Sequence, residues 1–121
     1  MKDVDNLIMD IAARLYDGEQ EYRYGHEVFT MFENDYCSPL DMSKQTVISI
    51  FPYGRNIFSE RISCVYDSTY FPDKEMAAEV RLKTCVRVAT EFVHKVLTKL
   101  DWQLKKEVAE QEIDNILSVL D

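Results

Sequence analysis

The chain has 121 residues, of which 46% are hydrophobic and 30% charged, and it carries a formal net charge of −8 at pH 7. This length and composition predict a single domain, residues 1–121, with a hydrophobic core, and argue against disorder. The acidity makes direct binding to nucleic acid or to an anionic membrane unfavourable, because phosphate groups would repel the surface.

Targeting and redox features of the sequence indicate the cytoplasm. No apolar run is long enough to span a bilayer, and residues 1–5 are acidic and interrupted, unlike a signal peptide. The three cysteines, Cys37, Cys64 and Cys85, are odd in number and far apart, so we expect reduced thiols rather than a disulfide framework. We therefore expect a cytoplasmic protein that binds no membrane.

Residues 3–16 are predicted to form the first helix. Asp3 can cap its N-terminus, and Gly18 can take the left-handed conformation that ends a helix. Apolar residues recur at spacings of three and four, which gives one stripe for burial. The stripe consists of Val4, Leu7, Ile8, Ile11, Ala12 and Leu15.

Residues 21–70 are rich in Tyr, Phe, Val, Ile and Thr and predict an antiparallel sheet of about three strands. The strands are expected at 22–33, 45–51 and 61–67, although residues 29–36 could also form a helical turn. Turn-forming residues at 36–41 and 52–56 connect them. An antiparallel sheet needs one covered face, which the helices can supply.

A long helix is predicted over residues 73–100, opened by Pro72 or Asp73. Its apolar arc is wider than one stripe, so we expect it to be buried by the sheet on one side and by another helix or another subunit on the other. Asp101 can cap a final helix, residues 102–120, whose apolar stripe slips in phase near Gln111. One continuous helix would be about 70 Å long, so we favour a bend near 100–102 over a helix that projects and is covered by a partner chain. These elements together predict an α+β fold.

Residues with catalytic or metal-binding chemistry form no recognisable motif. His94 has Glu91 and Thr90 at helical spacing, but one imidazole and one carboxylate are too few for a metal site. Cys37 is not followed by a Gly-rich turn, and three scattered glycines cannot build a phosphate-binding loop. We therefore expect no enzyme activity, no metal and no cofactor.

Charge is distributed unevenly along the chain. Residues 1–36 carry 9 acidic and 3 basic residues, residues 71–100 carry 4 and 6, and residues 101–121 carry 6 and 2. We expect the bases of the long helix to pair with acids of the last helix in an antiparallel hairpin. The bases are Arg81, Lys83, Arg87, Lys95 and Lys99, and the acids are Glu107, Glu110 and Glu112.

That pairing would leave the N-terminal acids as the exposed negative surface. Tyrosines lie among them, and tyrosine is enriched at protein interfaces, although ordinary strand tyrosines would look the same. Arg55 lies two residues after Tyr53 in a tight turn, where a guanidinium can contact a carboxylate or phosphate or simply be solvated. The candidate partner-binding residues are Asp10, Asp17, Glu19, Glu21, Tyr22, Tyr24, Glu33, Asp35, Tyr53 and Arg55.

We expect a small acidic interaction protein that binds another protein, one with a basic groove, through this surface. A sharper form of the hypothesis is an inhibitor that mimics the phosphates of nucleic acid. The order of elements and the acidity resemble some phage-encoded anti-CRISPR inhibitors in architecture and charge only, which implies a phage or bacterial accessory protein. Two alternatives stay open: a self-associating structural protein, such as a homodimer, built on the long helix, and a small enzyme or ligand-binding domain that uses the sheet face and Arg55.

Overall fold

The computed structural model describes residues 2–53, 60–69 and 74–120. Within these ranges the chain has the expected α+β order, with a helix, an antiparallel sheet and two C-terminal helical segments. The predicted cap at Pro72 or Asp73 and the turn residue Arg55 lie outside the described residues. The elements are α1 (Lys2–Tyr16), β1 (Glu21–Tyr24), β2 (Glu27–Cys37), β3 (Lys44–Pro52), β4 (Ile62–Asp67), α2 (Lys74–Phe92), a π-helical stretch (Val93–Leu97), α3 (Thr98–Leu100) and α4 (Trp102–Leu120).

Among the described residues the sheet has four strands, not three, because the predicted strand 22–33 is two strands joined by a tight turn. Gly25 has a φ of 61°, a left-handed conformation that favours glycine, and with His26 it reverses the chain between β1 and β2. β2 then continues as a strand to Cys37, so the helical alternative for residues 29–36 is wrong. The strands form an antiparallel meander in the order β1-β2-β3-β4.

One face of the sheet packs against the helices and the other stays open. Side chains alternate along each strand, and the buried inner set includes Phe29 and Met31 of β2, Ile48 and Ile50 of β3, and Ile62 of β4. α2 lies against β3 and β4, and α1 lies against α2. The middle of the long helix, with Cys85, Val88, Ala89 and Phe92, is therefore covered within the chain by the sheet and by α1, whereas Leu82 stays exposed.

Phe92 lies at the centre of the core and has no solvent exposure. Its ring meets the ring of Phe29 edge-on with 4.8 Å between centroids, and that of Tyr22 with 6.0 Å. Edge-to-face contacts of this kind add to the energy of apolar burial. This cluster joins the first hairpin, formed by β1 and β2, to the end of α2, which is the first part of the predicted long helix.

The predicted bend between the last two helices is confirmed. Asp101 is extended, with φ −134° and ψ 106°, and its Oδ1 atom accepts a hydrogen bond of 3.1 Å from the backbone N–H of Leu104. The start of α4 therefore returns over the body, where Leu104 and Val108 are buried. Gln111 reaches α1 by donating to the carboxylate of Asp5 at 2.9 Å. Residues 112–119 beyond this contact are exposed.

Replacing Phe92 tests the central cluster. Phe92→Ala should lower the free energy of unfolding by ~3–5 kcal/mol, because it removes a fully buried ring and leaves a cavity. Denaturant unfolding followed by circular dichroism measures the change. Leu40→Ala, at an exposed position, should change it by less than about 0.5 kcal/mol, and equal effects of the two variants would contradict the assignment of Phe92 to the core.

Candidate functional site

The N-terminal acids proposed as a partner surface are mostly paired with bases of the same chain. Arg14 contacts Asp10 at 3.0 Å and Glu19 at 3.1 Å, and Arg23 contacts Glu21 at 3.1 Å. These exposed pairs contribute little to stability, but they neutralise the charge locally. Asp17 is also exposed, after the end of α1.

Glu33 and Asp35, on the inner side of β2, are paired as well. Glu33 accepts a two-pronged hydrogen bond from Arg81 of α2, with Nε–Oε2 3.0 Å and Nη2–Oε1 2.8 Å. The guanidinium also stacks over the Tyr16 ring, 4.5 Å from its centroid, and Glu33 raises the pKa of Arg81. The Thr46 hydroxyl and the Lys44 ammonium hold the pKa of Asp35 below its ordinary value. Arg81 thus connects β2, α1 and α2.

The predicted pairing of the long-helix bases with α4 is wrong. Arg81 pairs with β2, and Lys83 and Lys95 pair with Glu79 and Glu91 of their own helical segment, one turn away. Lys99 lies 3.5 Å from Glu60. Among the described residues, none of the five bases, Arg87 included, has an ion pair with Glu107, Glu110 or Glu112 of α4.

The three candidate tyrosines occupy different environments. Tyr22 is buried in the core against Phe92, whereas Tyr53 is exposed at the end of β3. Tyr24 donates a 2.5 Å hydrogen bond to the carboxylate of Asp101. The candidate residues within the described ranges therefore do not form one continuous surface of free acids and tyrosines.

A groove of about 520 Å³ lies beside Tyr53, where the first hairpin meets the end of the long helical segment. Its polar lining includes His26, Glu60, Lys95 and Lys99. Both lysines are already paired with carboxylates, as described above. The groove therefore carries both signs of charge and does not present converging groups of one chemistry.

Nucleophilic and metal-binding groups are dispersed among the described residues. Cys37 is exposed, Cys64 is half-buried and Cys85 is buried, where burial raises its pKa to about 11. A raised pKa favours the unreactive thiol over the thiolate. Within residues 2–53, 60–69 and 74–120, no three His, Cys, Asp or Glu side chains are grouped closely enough to hold a metal ion.

The open face of the sheet has exposed apolar side chains in its middle, with Glu21, Arg23 and Asp67 at its margins. On this face Val47 pairs with Val65 of β4 and with Asn34 of β2, and Phe32 pairs with Ser49. Three apolar side chains around Val47 are substantially exposed: Phe32 at 41%, Tyr36 at 53% and Val65 at 53%. We define the open face as Val28, Thr30, Phe32, Asn34, Tyr36, Val47, Ser49, Phe51, Ser63 and Val65.

Some polar groups on and beside the open face are already paired within the sheet. The hydroxyls of Ser49 and Ser63 bond to each other at 2.8 Å, and the Arg61 guanidinium lies 4.2 Å from the centroid of the Phe51 ring. A partner packing here would gain apolar contact without leaving these groups unpaired. Beside this face, no described strand pairs with the edge of β2 beyond Met31.

No helix within the described ranges is both long enough and apolar enough to cross a bilayer. Comparison with protein-family models, with curated proteins and with solved structures finds no match to this chain. Its own surfaces are therefore the basis for assigning a function.

The Tyr24–Asp101 hydrogen bond gives a test of how the site region is held together. Tyr24→Phe should measurably lower the free energy of unfolding, because it removes a hydrogen bond to a charged group, while Tyr53→Phe should leave it nearly unchanged. Denaturant titrations at several pH values measure both.

The pH dependence follows from the direction of the pKa shift. The bond from Tyr24 holds the pKa of Asp101 below its ordinary value. The stabilisation is therefore present above about pH 3.9 and is lost as pH falls through the lowered pKa. The difference between wild type and Tyr24→Phe should shrink in acid, and a difference that grows there would contradict the assignment.

Proposed function

We propose that this chain is a protein-binding module whose partner packs against the open face of the sheet. The observation that carries the proposal is the exposed apolar cluster of Phe32, Tyr36 and Val65 around Val47. A contiguous exposed apolar patch on a small protein is typical of an interaction site. Aromatic residues at the centre of such a patch are the residue types that contribute most to binding energy.

The shape of this surface favours a macromolecular partner over a small ligand. Small-molecule sites are concave and enclose most of their ligand, whereas an open sheet presents a broad pleated face. The unpaired edge of β2 adjoins it and offers backbone groups to an extended segment of the partner. The proposal assigns no catalytic step to the chain, and the sparse, unpaired cysteines in the sequence favour a cytoplasmic site of action.

In this proposal the negative charge of the chain speeds the approach of a basic partner, and the apolar contact holds it. A net charge of −8 attracts a basic partner over a distance and raises the rate of encounter. The nucleic-acid-mimic form needs a dense array of free acids, and the pairs made by Arg14, Arg23 and Arg81 lower that density. We therefore place apolar contact at the centre of recognition and charge around it.

Capture from lysate of the source cells, followed by mass spectrometry and titration with the purified partner, tests the proposal. Val65→Glu and Phe32→Glu should each weaken binding at least tenfold, because a carboxylate would be desolvated in an apolar interface. Leu82→Glu is the matched control, since Leu82 on α2 is as exposed as Phe32, and it should bind normally.

Salt dependence separates apolar recognition from phosphate mimicry. Binding through the open face should weaken only modestly between about 50 and 200 mM salt, whereas mimicry predicts a loss of orders of magnitude. Charge reversal at Asp17, Glu19 and Glu21 should then abolish binding in the mimic case alone. A partner that is insensitive to Val65→Glu and Phe32→Glu but sensitive to this reversal would show that the open face is the wrong site.

A further inference from the structure

The second half of β2 is a strand edge that the described chain leaves open. Every residue from Phe32 to Cys37 is exposed. β1 pairs with β2 only as far as Thr30, and one further backbone bond of 3.0 Å joins the Met31 N–H to the Gln20 carbonyl. Beyond Met31, the side of β2 that faces away from β3 has no backbone partner among the described residues.

The register of the sheet identifies the backbone groups that this edge offers. The Tyr53 N–H bonds to the Val28 carbonyl, so the even-numbered residues of β2 direct their backbone groups towards β3. In an antiparallel sheet the residues between them direct their N–H and C=O groups to the opposite side, as Met31 does. The groups left open are therefore the N–H and C=O of Glu33 and Asp35, at the spacing of a strand that awaits a neighbour.

A groove of about 510 Å³ lies where a strand beside this edge would begin. Leu15, Gly18 and Glu19 line it on the side of α1 and the turn that follows, and Met31 and Glu33 line it on the side of β2. Its volume is within the range of ligand-binding pockets. The space that continues the line of β1 along β2 is therefore not filled by the described chain.

We infer that an extended segment of the partner protein pairs with this edge of β2 and adds a fifth strand to the sheet. The inference rests on the proposed function, because the same partner covers the adjoining open face. N–H and C=O groups that repeat along a strand edge are matched by another extended backbone. Side chains of the segment would alternate between the open face, beside Phe32 and Tyr36, and the inner side, beside Glu33 and Asp35.

The charge beside the groove specifies the chemistry of the segment. Arg14 is shared between two acids, Asp10 and Glu19, and among the described residues Asp17 has no ion pair. An excess of negative charge therefore remains where the inner side chains of the segment would lie. It favours Lys or Arg at these positions, with apolar residues at the alternate positions that face the sheet's exposed aromatics.

A second copy of this chain is a poor match for the same edge. A twofold β2–β2 pairing centred anywhere from Glu33 to Asp35 places one of these carboxylates directly opposite a carboxylate of the second copy. Like charges directly opposite each other destabilise a sheet, and inward-pointing charges are one way in which proteins prevent their edges from pairing with themselves. The two acids thus select a basic segment of a different protein over a homodimer.

Random peptides displayed on phage and selected on the full chain provide a probe of this edge. The selected sequences should alternate apolar residues with Lys or Arg and should lack Pro in the paired stretch. Synthetic peptides of these sequences should slow hydrogen exchange of the Glu33 and Asp35 amides at least about tenfold, as measured by NMR. The Asn34 amide already faces β3 and is the internal control, so its exchange should change much less.

A proline substitution tests the backbone contact itself. Asp35→Pro removes an N–H that faces away from β3, and proline is tolerated at such edge positions. Asp35→Ala is the matched control, because it removes the same carboxylate and keeps the N–H. Asp35→Pro should bind the peptides at least about tenfold more weakly than Asp35→Ala. If circular dichroism shows that Asp35→Pro does not fold, amide exchange in the wild type decides the question.

The outcomes separate strand addition from binding to the open face. Peptides that bind without protecting the Glu33 and Asp35 amides would overturn the inference, and so would a selection that yields no binding peptide. If Val65→Glu and Phe32→Glu still weaken binding of the captured partner in that case, the open face stands as the site without a fifth strand. If both amides are protected but those two variants bind normally, strand addition stands and the open face is the wrong site.

Discussion

The hydrogen-bonded position of Asp101 controls the arrangement of the molecule. Its carboxylate receives the N–H of Leu104 through one oxygen and the Tyr24 hydroxyl through the other. The first contact starts α4, and the second ties that start to the first hairpin. If the helix ran straight through this position, Leu104 and Val108 would leave the body and their apolar surface would lie in water. This side chain thus helps to keep the apolar residues at the start of α4 covered by the body.

Much of the fold was predictable because local chemistry and tertiary packing agree. The stripe of α1 and the long helix were expected from their apolar spacing, and the bend at Asp101 was favoured because one continuous helix would be too long for the body. The strand count was wrong because residues that favour strands continue on both sides of the tight turn between β1 and β2. Gly25-His26 had the turn signal, but a two-residue reversal interrupts so little sequence that the two strands are hard to tell from one.

Charge pairing was harder to predict than secondary structure. The long-helix bases and the α4 acids are complementary in number and order along the sequence. Side-chain reach nevertheless decides the outcome, and Glu79, Glu91 and Glu33 are closer. The open face was hidden for a related reason: Phe32 and Val65 alternate correctly for a strand, but alternation does not say which face the helices will cover. The slip at Gln111, in contrast, was visible in the sequence, and the structure shows that the buried apolar residues of α4, Leu104 and Val108, both precede it.

The π-helical stretch Val93–Leu97 adds a rotation to this arrangement. Phe92, Val93 and Leu97 are all fully buried, so contact with the core continues through this stretch. The wider turn, in which the Thr98 N–H reaches the Val93 carbonyl, therefore shifts the phase of everything that follows by about 100°. Asp101 comes four residues after Leu97 and therefore lies on the same side of the helical segment as this buried residue. On that side it meets Tyr24. The wider π-helical turn therefore rotates the residues after it about the helix axis, and this rotation sets the direction in which Asp101 faces Tyr24.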